Sequence, residues 1–416
     1  MTWTTVSLKV TTPLFNGGAS PADEAGLRVA SLRGAMRYWF RALAGSVIGP
    51  DLRRLSAVES RVFGSAEHSS PLVLRIASQP QVVRPTDRAS FLADPSLSPA
   101  ERRWIIYLLG QSLGDMREVK LLRPYVAPGS EIKLKIRFRH HVGEGEQARK
   151  AIESLTYASL WLTCAYGGVG ARARRGFGAV RIAGADGALP GPWTADSIVT
   201  PGAGHYKGLT SLWSRGVLSP CVPEIAILTG KPIANPREIW GGKPPLFPVL
   251  STTHAPARIS AETFASWQKT MIWTGESLRR YRADTDNASP AANYRPKLET
   301  REWLDVVHGN DDRFQLGALG LPVVYKGNRT VRVAKVPGGD ELRRASPLWL
   351  RPVGEGGRWQ LLSFAFRAEF LPEAARAGVR LGNRDLSVTD QDVLEVTGAW
   401  IDALADGRTP QRPPTS

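Results

Sequence analysis

Cysteine is nearly absent from this chain of 416 residues, which has only Cys164 and Cys221. Two thiols so far apart make neither a disulfide framework nor a zinc motif, and a reduced, cytoplasmic setting is the expectation. Long apolar runs are also missing. No stretch of about 18 apolar residues occurs, which sets a membrane span aside. The first residues lack the charged-then-apolar pattern of a signal peptide. Histidine is scarce: His68, His140, His141, His205, His254 and His308. None stands at a zinc-site spacing from another His, Cys or carboxylate, so no metal and no other cofactor is expected. Negative charge is short as well. Against 54 Lys and Arg there are 38 Asp and Glu, a formal net charge of +16. A surplus of that size points to a polyanionic partner, and with a membrane set aside that partner is nucleic acid.

The length exceeds what one core usually serves, so two domains are expected. The first half alternates strands with helices. Val6, Leu8 and Val10 alternate with polar neighbours, predicting a strand over 4–12. Ser31 reads as the cap of a helix running to Ala44, with Met36, Trp39, Phe40 and Leu43 on its apolar side. A short helix at 51–62 and a strand at 72–76 follow. Residues 79–130 read as an insertion with a helical piece around Trp104–Leu113. Ile132, Leu134, Ile136 and Phe138 then alternate with Lys133, Lys135, Arg137 and Arg139, predicting a strand with one wholly basic face. A helix over 145–165, a glycine-rich loop and a strand at 177–182 close the unit. The order strand, helix, strand, strand, helix, strand is the ferredoxin-like arrangement also used by RNA-recognition modules. The fold class is therefore α+β. The first domain is expected over 1–215 and the second over 216–405, with its first strand at 224–229 and a helix at about 261–282. A polar loop at 284–300 is read as mobile, and 406–416 as a disordered tail.

The chemistry concentrates in three places. The first is Gly167-Gly168-Val169-Gly170-Ala171-Arg172-Ala173-Arg174-Arg175-Gly176-Phe177-Gly178, with five glycines in twelve residues. Bare amides there approach a phosphate closely, and Arg172, Arg174 and Arg175 supply forked donors with no acid beside them in sequence. The loop follows a helix, precedes a strand and lacks Gly-Lys-Ser/Thr, so it is no nucleotide P-loop. The second place is the helix carrying Ser31, Arg33, Gly34, Arg37 and Arg41. Its arginines are spaced i, i+4, i+8 on one face, an arrangement that costs about 0.2–0.5 kcal/mol per like-charged pair unless an anion lies along it. Gly34 in that helix suits the close approach of another backbone. The third is the basic strand face itself. Tyr38, Phe177 and Tyr206 are candidate stacking partners for bases. A ribonuclease reading stays open, with His140 or His141 at the end of the basic strand as general base in a metal-independent RNA-processing enzyme. So does a protein-docking reading, in which the basic surface meets an acidic partner.

Taken together, several motifs resemble a known family. Thr12-Pro13-Leu14-Phe15-Asn16-Gly17-Gly18 comes first, followed by Ser31-Leu32-Arg33-Gly34 with Arg37, Trp39, Phe40, Arg41 and Leu43. Glu59 and Phe63-Gly64-Ser65 come next. This series is similar to the N-terminal signature of RAMP-superfamily CRISPR proteins, and more narrowly to the first RAMP subunit of type III-B effector complexes. The loop at 167–178 resembles the superfamily's glycine-rich loop. Leu319-Gly320-Leu321-Pro322 and Arg344-Ala345-Ser346-Pro347-Leu348 extend the likeness into the second half. The resemblance implies two tandem ferredoxin-like domains and a non-catalytic RNA-binding subunit. It implies a place at the end of a ribonucleoprotein filament, near the 3′ end of a guide RNA and beside other RAMP subunits, where the chain helps hold single-stranded target RNA. Target cleavage in such complexes belongs to the repeated backbone subunit, whose catalytic loop has no counterpart here.

Overall fold

The computed structural model describes residues 2–18, 25–139, 144–214, 216, 218–231, 233, 239–240, 243–283, 300–325, 329–334, 342–372 and 378–412. The first half comprises β1 (Thr4–Val10), α1 (Val29–Ile48), α2 (Leu52–Phe63), β2 (Leu72–Ser78), α3 (Pro99–Leu109), β3 (Glu131–Phe138), α4 (Glu146–Ala165), β4 (Val180–Asp186) and α5 (Cys221–Thr229). Strands β1 to β4 form one antiparallel sheet in the order β2-β3-β1-β4. That is the ferredoxin-like topology expected from the order of elements. Period-two patterning sets the register: Val6 lies opposite Leu134 and Leu8 opposite Ile132, all turned inward. The apolar stripe Leu32, Met36, Trp39, Phe40, Leu43 and Val47 of α1 covers that inner face together with α4. The helix begins two residues before the expected cap. Ser31 lies in its first turn, and Arg28 takes the cap position without a side-chain hydrogen bond. Leu27 and Val29 pack on the core and carry the helix back.

The second half repeats the plan. It comprises β5 (Ala257–Ile259), α6 (Trp267–Ala283), α7 (Arg301–His308), β6 (Val323–Val324), β7 (Thr330–Val333), β8 (Leu348–Glu355), β9 (Arg358–Ala365), β10 (Val379–Leu381), β11 (Arg384–Leu386) and α8 (Asp390–Ala405). The sheet β8-β9-β5 with α6 and α8 reproduces the first sheet's strand-helix-strand-strand-helix order. The small sheet β11-β10-β7-β6 is added beside it. The fold is thus α+β with two tandem ferredoxin-like units.

Three expectations about the layout need correction. The strand expected at 224–229 is helical: α5 ends on Gly230 in the left-handed conformation, φ 64°. A short apolar run carries no period by itself, and packing on α4 and α1 decides it. The boundary expected at 215/216 does not part the cores either, because Leu218, Cys221, Ile225, Leu228 and Leu250 belong to the first. The insertion crosses in the other direction. Ser98 and Glu101 form a capping box at the start of α3, which runs over 99–109. Phe91, Leu97, Trp104, Ile105 and Leu109 then enter the second core, where Phe91 meets Trp267 edge to face at 5.4 Å and Lys269 bonds Glu101 at 2.5 Å. The two halves are interlocked through this exchange. The polar loop expected at 284–300 lies almost wholly outside the described residues, with Thr300 capping α7.

The tail is not free through Arg412. That side chain is buried and pairs with the carboxylate of Glu302, itself buried in α7. Burial raises the Glu302 pKa by more than Arg412 lowers it. Deleting residues 406–416 is expected to cost about 2 kcal/mol, since a buried acceptor loses its charged donor. An unchanged urea midpoint in the truncated chain would show that the segment contributes nothing.

Candidate nucleic-acid interface

The glycine-arginine loop joins α4 to β4 and is cradled by the residues just after β1. Gly178 N–H donates to Pro13 O at 2.9 Å, Ala171 N–H to Phe15 O at 2.7 Å, and Ala179 N–H to Thr12 Oγ1 at 3.0 Å. Val169 N–H closes the base on Gly178 O at 2.9 Å, and Arg175 N–H turns back onto Arg172 O at 2.8 Å. The amides of Val169, Ala171, Arg175, Gly176, Phe177 and Gly178 are therefore occupied, within the loop or by Pro13 and Phe15. For these six amides that corrects the expectation of bare groups held out to a phosphate. Gly167, Gly168, Gly176 and Gly178 are buried, while Gly170 is exposed. A side chain at Gly167 would overlap the Trp39 indole, and one at Gly176 would meet Met271 and Pro352. Gly167 and Gly176 thus serve close packing, and the side chains of Arg172, Arg174 and Arg175 are the loop's charged donors.

Its arginines divide. Arg174 lies over two rings, 5.5 Å from Tyr38 and 5.3 Å from Trp349. Beyond it a cavity of about 300 Å³ is lined by Arg174, Tyr38, Arg344, Ser346, Trp349 and Phe370, with Glu369 also on its wall. Nε and Nη2 of Arg344 are buried there with no hydrogen-bond partner among the described residues. Burial, and then Arg174, lowers the Arg344 pKa. Burial likewise raises the Tyr38 hydroxyl's pKa against the pull of Arg174. On the other side of the loop Arg172 and Arg175 share the field of Arg282 from α6. Burial first, and Arg282 next, push Arg175 down to about 9, so it is still a cation at neutral pH. The same two causes lower Arg172. Among the described residues no carboxylate forms an ion pair with Arg172, Arg174 or Arg175. Forked cations of this kind suit a phosphate, and the aromatic-walled cavity lies beside one of them, Arg174.

The arginine row of α1 is used differently. Arg37 bonds Glu59 Oε1 at 2.9 Å, Phe63 O at 3.0 Å and Gly64 O at 2.5 Å. Arg41 lies 3.8 Å from the other Glu59 oxygen, and Arg33 donates to Leu72 O at 3.0 Å. The expected uncompensated face is thus largely tied to α2 and β2. Glu59 sits two helical turns into α2, and only the packing of that helix brings it to Arg37.

A profile of the RAMP superfamily matches residues 7–181. The CRISPR system Cmr subunit Cmr1-2 of Pyrococcus furiosus is 32% identical over 186 residues, which are 42% of this chain and 92% of that protein. This chain is a RAMP-superfamily protein of the Cmr1 family. A second relative in the same organism, Cmr1-1, is 30% identical over 158 residues, covering 38% of this chain and 40% of that one. The crystal structure of apo Cmr1 from Pyrococcus furiosus superposes with a TM-score of 0.54 at 20% identity, over 99% of this chain and 98% of that chain, a likeness of fold.

In this RAMP protein the motifs that looked separate in sequence are parts of two units. Residues 12–16 and the loop form one, and Arg37 with Glu59, Phe63 and Gly64 forms the other. In the second half Leu321 N–H meets Arg344 O at 2.8 Å, so the two motifs there also pair. The loop and the arginine row do not merge into one surface. Tyr38 turns toward Arg174 and Trp349, whereas Arg37 turns toward α2. Ser31 is half-buried, and Gly34 is exposed with nothing within 4 Å of an added Cβ. Phe177 and Tyr206 are buried, which removes them as stacking partners for bases and leaves Tyr38. His140 and His141 lie outside the described residues. Among the described residues no helix is long and apolar enough to cross a membrane.

Sequence reasoning missed Arg351. This buried residue of β8 crosses from the second half and donates to Cys164 O at 2.5 Å, Val180 O at 2.9 Å and Gly167 O. It ties the end of α4, the start of the loop and the start of β4 together. The signal was a lone cation in an apolar strand, Trp349-Leu350-Arg351-Pro352, beside the motif at 344–348. Arg344 itself stood in that motif, with its position over the Arg174 cavity invisible.

Proposed function

We propose that this RAMP protein is a non-catalytic subunit of a type III-B CRISPR effector, and that its loop surface grips single-stranded RNA. Arg172, Arg174 and Arg175 hold phosphates, Tyr38 and Trp349 wall a cavity of base size, and Arg344 supplies a further buried donor. In the assembled complex this surface lies near the 3′ end of the guide RNA, caps the filament of RAMP subunits and helps capture the target. The observation that carries the reading is one contrast. Arg37 and Arg41 share Glu59, whereas the three loop arginines have no paired carboxylate among the described residues, and one of them, Arg174, lines an aromatic-walled cavity. Family membership and the net charge support it.

Replacing Arg172, Arg174 and Arg175 with alanine is expected to weaken binding to labelled single-stranded RNA without regard to sequence. The slope of log K against log salt should fall by about 2, the share of three phosphate contacts at about 0.7 each. If affinity and slope both stay unchanged, the loop does not hold RNA.

A further inference from the structure

The sheet of the first half has a second basic surface, turned away from α1 and α4. Strands β1, β2 and β3 point Thr5, Ser7 and Lys9, Val73 and Arg75, and Lys133, Lys135 and Arg137 to this side, and every one is half-exposed or exposed. The register packs the cations together. Arg75 lies directly opposite Lys135 across the β2–β3 pair. Directly opposed like charges destabilise a sheet, by an amount similar to the 0.2–1 kcal/mol of a good cross-strand pair. Neighbouring strands stand about 4.8 Å apart, and alternate residues on one strand about 6.7 Å apart. Five cations therefore crowd a patch two to three strands wide. Glu131 pairs with Lys133, which also donates to Ser7 Oγ at 2.8 Å; at the β4 edge Asp186 lies opposite Thr5, and Arg181, opposite Lys9, pairs with Glu355 at 2.7 Å. Arg137 stands 4.7 Å over the ring of Trp3, and its side chain is held in place by that contact. Lys9, Arg75 and Lys135 enter no ion pair among the described residues.

We infer that this open sheet face is a second track for an RNA backbone, separate from the loop. The composition of the patch selects that occupant over an acidic protein. Protein interfaces gather apolar and aromatic residues at their centre and are depleted in lysine. Among the described residues none of the exposed large apolar side chains lies on this face, and lysines hold its centre. RNA-recognition sheets that read bases present aromatic rings from their central strands. Here the central strand β3 offers Lys133, Lys135 and Arg137 instead, so the face contacts phosphates and is indifferent to sequence. The inference extends the RNA-binding reading given above and is tested apart from it.

The test uses the full chain with Lys9→Gln, Arg75→Gln and Lys135→Gln combined, three positions whose side chains hold nothing else in place. Binding of fluorescent oligouridylate of 30 nucleotides is titrated from low to moderate salt, beside the wild type and the loop variant Arg172→Ala/Arg174→Ala/Arg175→Ala. Circular dichroism melting verifies that each variant is folded. The sheet variant is expected to lose about 2 from the salt slope and to bind on the order of fifty-fold more weakly at 0.15 M salt. Combining both sets should lower the slope further than either set alone. A sheet variant with wild-type affinity and slope, beside a weakened loop variant, overturns the second track and leaves the loop reading standing. A weakened sheet variant beside an unchanged loop variant sustains the track and sinks the loop. If the sheet substitutions abolish binding of polyglutamate while RNA binding is untouched, the face is a protein-docking surface and the inference fails.

Discussion

Replacing Gly178 with alanine is expected to cost about 3 kcal/mol or more and to abolish the loop's native geometry. Two independent effects add. Gly178 has φ +65°, where an L side chain costs about 1–2 kcal/mol. A methyl group there would also overlap the carbonyl oxygen of Val169, a residue whose N–H is bonded into the base of the loop. Backbone cannot swing aside as a flexible side chain does, so the base must open, and with it the bonds from Gly178 to Pro13 and from Val169 to Gly178. Gly129 supplies the control. Its φ is +88°, yet nothing lies within 4 Å of an added Cβ, so Gly129→Ala should show the conformational cost alone. Urea denaturation of both variants separates the two effects. If Gly178→Ala is no less stable than Gly129→Ala, the closure of the loop base described here is wrong. RNA affinity of the Gly178 variant, measured where it is still folded, should fall with it.

Arg351→Met is expected to be the other severe substitution, at about 3–5 kcal/mol. The guanidinium is buried and spends its donors on three carbonyls from α4, the loop and β4. Burial is also the chief cause that lowers its pKa. Methionine fills much of the volume and leaves three buried acceptors without donors, each at the desolvation cost of an unmade hydrogen bond. Arg351→Lys keeps the charge and loses the fork, so it should recover part of the stability and little of the geometry. The residue positions the loop rather than touching RNA, and this makes a distinct signature. Arg351→Lys should weaken RNA binding by the same factor at every salt concentration, whereas the loop variant changes the slope. A changed slope in Arg351→Lys would mean that Arg351 itself meets a phosphate.

The first half of the fold was legible because its signals are local. Alternation in β1 and β3, the helical stripe from Leu32 to Val47, and the loop's position between helix and strand each follow from periods of 2 and 3.6. The motif at 12–18 was visible, but its purpose was not. It offers Thr12 Oγ1 and the carbonyls of Pro13 and Phe15 to a loop some 160 residues away. The insertion resisted reading for the same reason. Its Phe91, Leu97 and Trp104 complete a core belonging to the other half, so no pattern within 79–130 explains their spacing.

By itself, then, the amino-acid sequence determined the fold class, the order of the first unit, the basic charge and the place of the glycine-arginine loop. Only the tertiary structure decided which arginines keep their charge unshared. Arg37 and Arg41 were expected to face an anion and face Glu59 instead. Arg174 lies on Tyr38 and Trp349, and Arg351 became the bond between the halves. The physical reason is that burial of an apolar stripe is dictated by the stripe. The neutralisation of a charge depends on what packs across from it, and here those partners come from α2, from β8 and from a second core hundreds of residues away.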